Sequence, residues 1–285
     1  MTTALPTLAV TGSTGAVGGL VARALAAKNV PQRLLARTVA KAPDLPGSVA
    51  LPFAYSDRAA SAVALDGVDT LFMVSAAENA ERLDQHRVFV DSARAAGVRH
   101  IVYTSFLAAA PDATFTLARD HWATEEYIRE SGIDHTFLRD SLYLDFMDAL
   151  VGADGVIRGP AGTGRVAAVA RADVARTAVA VLADVAAHRN VTYDLTGPEA
   201  LTMAEIARIL TAARGNTVRY HDETVAEAYE SRKPWGAPGW QVDAWVSTYT
   251  AIAAGEMAQV SGAVEAVTGT RPMSLAELLA GSNGA

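Results

Sequence analysis

Val10-Thr11-Gly12-Ser13-Thr14-Gly15-Ala16-Val17-Gly18 is the stretch on which the fold turns. It joins a short apolar run, Thr7–Thr11, that reads as a strand to the segment Gly15–Lys28, where Val17, Leu20, Val21, Ala24 and Leu25 fall at helical spacing. The glycines follow the pattern G-x-x-G-x-x-G. A strand that turns through glycine into a helix presents backbone N–H groups at the helix start, where the peptide dipoles favour negative charge. A side chain on Gly12 would obstruct the tight turn, and one on Gly15 the approach of a pyrophosphate. Gly18 lets the helix pack close to the sheet. Ser13 and Thr14 offer further donors, and Ala16 and Val17 begin the helix. A glycine triplet alone is a weak signal; a strand before it and a helix after it supply the context the motif requires.

Reading outward, strands are expected at Gln32–Arg37, Val49–Phe53, Thr70–Val74, Arg99–Thr104 and His135–Leu138. Helical stretches at Arg58–Leu65, Asn79–Ala96 and Leu117–Ser131 lie between them. This alternation predicts an α/β protein with a Rossmann-like, doubly wound parallel sheet over residues 1–150. Past Ser141 the rhythm loosens, so residues 151–285 read mostly as a smaller α+β substrate-binding part, with some segments returning to the sheet. Gly152–Gly164 reads as a loop with a short hairpin, Asp173–Asp184 as a helix capped by its aspartate, and Val191–Leu195 as a strand. Leu201–Arg214 reads as a helix beginning at Thr202, where Thr202 and Glu205 have capping-box spacing. Tyr229, Trp235, Trp240, Trp245 and Tyr249 crowd one short segment. Packing of a small helical cap is its plainer reading and a substrate lid the other.

The 285 residues are 51% hydrophobic and carry a net charge of −7, enough for a substantial core. No run of lysine and arginine forms a basic stripe, so no nucleic-acid partner is expected. The absence of cysteine excludes disulfides, thiolate catalysis and cysteine-ligated metals, and suits a reducing compartment. The six histidines, at 86, 100, 121, 135, 188 and 221, lack ligand-type spacing, so no metal is expected. Met1–Thr7 has no positive n-region and the apolar runs are too short to span a bilayer. The expectation is a cytoplasmic monomer or homodimer that binds no membrane. A G-x-S-x-G hydrolase elbow is absent. At the end of the second strand, where an acid would hold the ribose hydroxyls of NAD, stand Ala36 and Arg37, with Lys41 four residues on. Those cations would pair with a 2′-phosphate, which points to NADP(H) rather than NAD.

Several stretches together resemble the NmrA-like branch of the atypical short-chain dehydrogenases/reductases, and within it the bacterial NADPH-dependent quinone oxidoreductases. They are TGSTGAVGG at Thr11–Gly19, LLAR at Leu34–Arg37, VYTSFL at Val102–Leu107 and DHWATEEYIRESGIDHTFLRDSLYLDF at Asp120–Phe146, joined by TGPEALTMAEIARIL at Thr196–Leu210 and TGTRPMSLAELLAG at Thr268–Gly281. The resemblance implies that Val74, Ser75 and Ala76 run alongside the middle of the cofactor, and that Tyr103, Thr104, Ser105 and Phe106 end near the nicotinamide. It also implies that Ser141, Leu142 and Tyr143 wall the substrate side. Many relatives carry a single lysine early in the helix after the fifth strand, and His121 stands at that position. The chain departs from the tyrosine-dependent reductases, whose Y-x-x-x-K occurs here only at Tyr229–Lys233, deep in the C-terminal part.

Without that dyad, hydride transfer to a quinone remains accessible. The acceptor is electrophilic, and the protein mainly holds two flat rings in register. The catalytic candidates are His121, as proton donor or ribose anchor, Ser105, as an orienting hydroxyl, and Tyr143, as a hydrogen-bond donor or aromatic wall. An NADPH-dependent oxidoreductase of quinones or related polycyclic or carbonyl compounds is the leading expectation. The others are a non-catalytic NADP(H)-binding redox sensor and a tailoring enzyme of aromatic natural products.

Overall fold

The computed structural model describes residues 5–282. Residues 1–4 and 283–285, which hold the start of the Met1–Thr7 stretch and the end of the expected C-terminal part, lie outside them. The strands are β1 (Leu8–Thr11), β2 (Gln32–Ala36), β3 (Ser48–Pro52), β4 (Thr70–Met73), β5 (His100–Phe106), β6 (Asp134–Asp140), β7 (Val156–Gly159), β8 (Arg165–Val166), β9 (Val191–Leu195), β10 (Leu201–Thr202) and β11 (Arg219–Asp222). The helices needed below are α1 (Ala16–Ala27), α2 (Arg58–Leu65), α3 (Arg82–Ala95), α4 (Thr116–Ser131), α5 (Arg171–Ala183), α6 (Met203–Arg214), α7 (Val225–Arg232) and α8 (Gly239–Ala253).

Seven strands form one sheet in the order β3-β2-β1-β4-β5-β6-β9. Pairs β3–β2, β2–β1, β1–β4 and β4–β5 are parallel, so the fold is the Rossmann-like α/β architecture that the alternation predicts. All residues of β2 and most of β5 are buried, as expected of strands covered on both faces. Strand order reverses between β1 and β4, and such a switch point opens a crevice beyond the carboxyl ends of the strands.

Contacts divide the chain into two interleaved units. The first takes the described part of Met1–Ser105 with Asp120–Arg139 and Val174–Tyr193; the second takes Phe106–Arg119, Asp140–Asp173 and the described part of Asp194–Ala285. Leu35, Leu71, Phe89, Ile101, Ile128 and Phe137 centre the core of the first unit. Ile157, Val166, Met203, Ile206, Leu210 and Ile252 centre that of the second.

Two local expectations are corrected. The Gly152–Gly164 stretch does not close on itself as a hairpin: its strand β7 pairs in parallel with β11, and only an isolated antiparallel bridge joins Val151 to Ile157. Helix α5 begins at Arg171, so Asp173 lies inside its first turn, where a carboxylate oxygen accepts the Met273 N–H at 2.7 Å. Thr202 and Glu205 do form the capping box of α6, and Thr224 and Glu227 form a second on α7. No helix among the described residues is long and apolar enough to cross a membrane, and no group of three potential metal ligands occurs among them.

Candidate active site

The glycine turn is built for close backbone approach. Gly12 takes φ +65°, a conformation L side chains rarely adopt. A Cβ on Gly18 would fall 2.4 Å from the Gly12 carbonyl oxygen and 2.6 Å from that of Thr11, so a glycine is needed to bring α1 against the end of β1. A Cβ on Gly15 would meet only the Gly12 oxygen, at 3.3 Å, and otherwise face open space. Gly15 caps α1 with no side-chain hydrogen bond, and the first turn holds no acid. Thr14, Gly15 and Ala16 are exposed, Val17 is buried, and the buried Ser13 Oγ has no partner. Free N–H groups, an unused hydroxyl and an exposed Gly15 together fit a pyrophosphate. Arg37 and Lys41 are both exposed beyond β2.

After β4 the chain is pinned by three side chains. The N–H groups of Val74, Ser75 and Ala76 donate in turn to Thr11 Oγ1 at 2.8 Å, Thr104 Oγ1 at 2.9 Å and His86 Nε2 at 2.9 Å. The Tyr55 hydroxyl donates to the Val74 carbonyl. Three consecutive donors are thereby spent inside the protein, and the loop gains a fixed shape.

Beneath that loop, the starts of α3 and α4 hold a buried polar network whose protons can be assigned. A guanidinium only donates. Arg82 Nη2, 2.8 Å from His121 Nε2, therefore makes that nitrogen an acceptor. The His121 proton then sits on Nδ1 and is donated to the Tyr103 hydroxyl at 3.0 Å. Likewise His86 Nε2 accepts from Ala76, so its Nδ1–H is donated to Thr124 Oγ1 at 2.9 Å, and Thr124 donates to the Asp120 carbonyl at 2.7 Å. Burial, reinforced by Arg82, pushes His86 down to about 3 and holds His121 well below the ordinary imidazole value. Burial also raises Tyr103 and Tyr55 above the ordinary phenol value. At neutral pH both rings and both phenols are uncharged.

Ser105 Oγ donates to Glu125 at 2.6 Å, and Glu125 is held by Arg139 through Nε at 2.8 Å and Nη2 at 2.7 Å. Ser105 and Glu125 are buried, and the set ties β5 to α4 and β6 and fixes the orientation of Ser105.

In the second unit, Tyr143 donates to Asp140 Oδ2 at 2.8 Å and lies under the Arg171 guanidinium, 5.0 Å from the ring centre. Asp140 Oδ1, Ser141 Oγ and Arg171 Nε are buried without partners. Burial pushes the Asp140 carboxyl up to about 8 and Tyr143 well above the phenol range. Phe106 packs on Phe115, and Leu142 lies on the core. Within the aromatic segment, Trp235 meets Trp245 edge-on at 5.2 Å but is 63% exposed, while the buried Arg232–Glu223 pair sits against Trp235 and Tyr249. Tyr229 donates to Asp243 and Lys233 to Glu230, so the residues at Y-x-x-x-K spacing serve local contacts.

The structure thus brings Tyr103, Thr104, Ser105 and His121 together with Ser75 and Ala76 in the first unit. Sequence reasoning missed Arg82, His86, Tyr55 and Asp140. A faint signal existed: Arg82 and His86 are four residues apart on α3, and His121, Thr124 and Glu125 share one face of α4.

Fold and glycine turn define a Rossmann-like α/β protein with a dinucleotide-type turn. The profile of the NmrA-like family matches residues 6–237, and the chain belongs to that family. It is 34% identical over 278 residues to Quinone oxidoreductase 2 of Escherichia coli (strain K12), covering 95% of this chain and 96% of that protein. The crystal structure of the NADPH-dependent quinone oxidoreductase QOR2 of E. coli complexed with NADPH superposes with a TM-score of 0.88 at 32% identity, over 97% of this chain and 100% of that one. The triphenylmethane reductase of Citrobacter sp., complexed with NADP(H), superposes with a TM-score of 0.86 at 32% identity, over 96% and 99%. The (4-alkanoyl-5-oxo-2,5-dihydrofuran-3-yl)methyl phosphate reductase of Streptomyces griseus is 37% identical over 219 residues, 75% of this chain and 76% of that protein.

Proposed function

We propose that this protein is an NADPH-dependent oxidoreductase that reduces quinones or related conjugated carbonyl and dye-like compounds. The observation that carries the reading is the glycine turn: an uncapped helix start, an exposed Gly15 and an unpartnered Ser13 hydroxyl. The names of the relatives support the reaction class: each is a reductase or an oxidoreductase. Gly12–Gly18 hold the pyrophosphate, Arg37 and Lys41 receive the 2′-phosphate, and Val74–Ala76 form the rigid wall beside the cofactor. NADPH supplies the hydride.

The protein's part is positioning. His121 has a partner on each ring nitrogen and is neutral, so it acts by orienting Arg82 and Tyr103 rather than by giving up a proton. Ser105 is oriented by Glu125. In the second unit Tyr143 and Asp140 are among the groups that keep a proton at neutral pH. The reaction runs without the Y-x-x-x-K dyad.

The test is NADPH oxidation against a panel of quinones, with dinucleotide binding measured by calorimetry. Turnover of some quinones with NADPH preferred over NADH is expected. Tight binding with no turnover across the panel would overturn the enzymatic reading and leave a sensor.

A further inference from the structure

Among the described residues Arg33, Arg82 and Arg232 are buried arginines. Two of them are compensated. Arg33 donates to the carbonyls of Pro6, Ala64 and Asp66. Arg232 pairs with Glu223 at 2.9 Å and also donates to the carbonyls of Ala228 and Arg158. Arg82, 4% exposed, has only the neutral His121 ring nitrogen as a partner. Its Nε is buried with no partner, and no carboxylate among the described residues lies within ion-pair distance. Asp120 feels its charge without pairing with it. Apart from Asp120, the titratable groups that feel its charge, His86, His121, Tyr103 and Tyr55, are neutral. A buried cation without a counter-charge costs several kcal/mol, and the same chain shows how its other buried arginines avoid that cost.

We propose that Arg82 anchors an oxyanion-binding site at the start of α3, which takes a phosphate, sulfonate or carboxylate group. Placement supports it. Arg82 is the first residue of α3, which follows the pinned Val74–Ala76 loop beyond the end of β4. The N–H groups of Val74, Ser75 and Ala76 are consumed, and the guanidinium is a charged donor beside them. The helix start adds to the attraction for an anion. His121 fixes the guanidinium by accepting from Nη2, which leaves Nε and Nη1 to donate. This deepens the reductase reading and rests on it. The oxyanion has two sources: an acidic group on the substrate, or a phosphate of the dinucleotide.

The experiment compares wild type, Arg82→Gln and Arg82→Lys. It measures kcat/KM for 1,4-naphthoquinone and for its 2-sulfonate at saturating NADPH, and NADPH affinity by calorimetry. If the substrate is the source, Arg82→Gln lowers the sulfonate-to-neutral ratio of kcat/KM by about 10- to 100-fold, as expected for lost hydrogen bonds to a charged group. NADPH affinity then holds, and Arg82→Lys recovers part of the ratio. If the dinucleotide is the source, Arg82→Gln weakens NADPH binding by about tenfold or more and leaves the ratio alone. A folded Arg82→Gln protein with both quantities unchanged overturns the proposal. Inactivity of the wild type on both quinones instead overturns the reductase reading. Should Arg82→Gln fail to fold, histidine ¹⁵N NMR of the wild type decides. Adding naphthalene-2-sulfonate or NADPH must shift the His121 ring resonances, and absence of any shift with both ligands overturns the site.

Discussion

Replacing Asp140 with asparagine is expected to reshape the dependence of stability on pH. Asp140 is 2% exposed; one oxygen takes the Tyr143 hydroxyl and the other has no partner. Burial raises its carboxyl to about 8, whereas an unfolded aspartate titrates near 4. Between those values the folded chain holds a proton that the unfolded chain has lost. This contribution is complete below about pH 4 and is lost as pH rises toward 8, at up to about tenfold in the folding constant per pH unit. His86 and His121 act in the opposite sense. Their folded-state values are depressed, so their contribution is complete above about pH 6.5 and is lost on acidification. Below pH 6.5 two histidines outweigh one carboxyl and stability rises with pH; above it only Asp140 remains and stability falls. Among these three groups the maximum lies near pH 6.5, and the net descent to pH 8 amounts to about 1 kcal/mol. Asparagine keeps an acceptor for Tyr143 and does not ionise, so Asp140→Asn should abolish the descent. Urea unfolding midpoints from pH 5 to 8.5 at constant ionic strength measure it. An Asp140→Asn variant whose stability changes between pH 6.5 and 8 just as the wild type's does would refute the reasoning.

The glycine turn gives a contrasting pair of variants. Gly15→Leu should fold normally and lose NADPH binding in calorimetry, whereas Gly18→Ala should lower the melting temperature because its Cβ meets backbone oxygens at 2.4 and 2.6 Å. Arg37→Ala should weaken NADPH binding by about 1–3 kcal/mol more than NADH binding; equal effects would remove the 2′-phosphate role. His121→Gln keeps an acceptor for Arg82 and a donor for Tyr103, so turnover should fall by less than about tenfold. A loss of about a hundredfold in kcat with unchanged cofactor affinity would instead mark His121 as a proton donor.

The sheet was legible in the sequence because its signals are local. Gly12, Gly15 and Gly18 sit where β1 turns into α1, and the apolar runs of β2, β4 and β5 are bounded by polar turns. Thr202 and Glu205 announce α6 by a three-residue spacing alone. Beyond Ser141 the local signals weaken for a physical reason. Strand β7 finds its partner in β11, about sixty residues on, so what looks like a hairpin is an interaction with chain that no local pattern reveals. Asp173 looks like a cap because a carboxylate ahead of an apolar helix usually is one; one of its oxygens accepts the distant Met273 N–H.

The polar network failed to show for the same reason, and its chemistry follows from that. Arg82 and His86 look like solvated positions on a charged helix until α4 supplies His121 and Thr124 and β5 supplies Tyr103. Once packed, each donor dictates the next proton. Arg82 forces the lone pair of His121 to one nitrogen, and the Ala76 N–H does the same for His86. An imidazole so constrained is a poor acid but a good brace, since changing its tautomer would set donor against donor. His86 therefore ties the Val74–Ala76 loop to α4, and His121 ties to β5 the buried arginine that lacks a counter-charge. Histidine at position 121 thus leaves the positive charge one side chain away, on Arg82, and turns the position itself into its support.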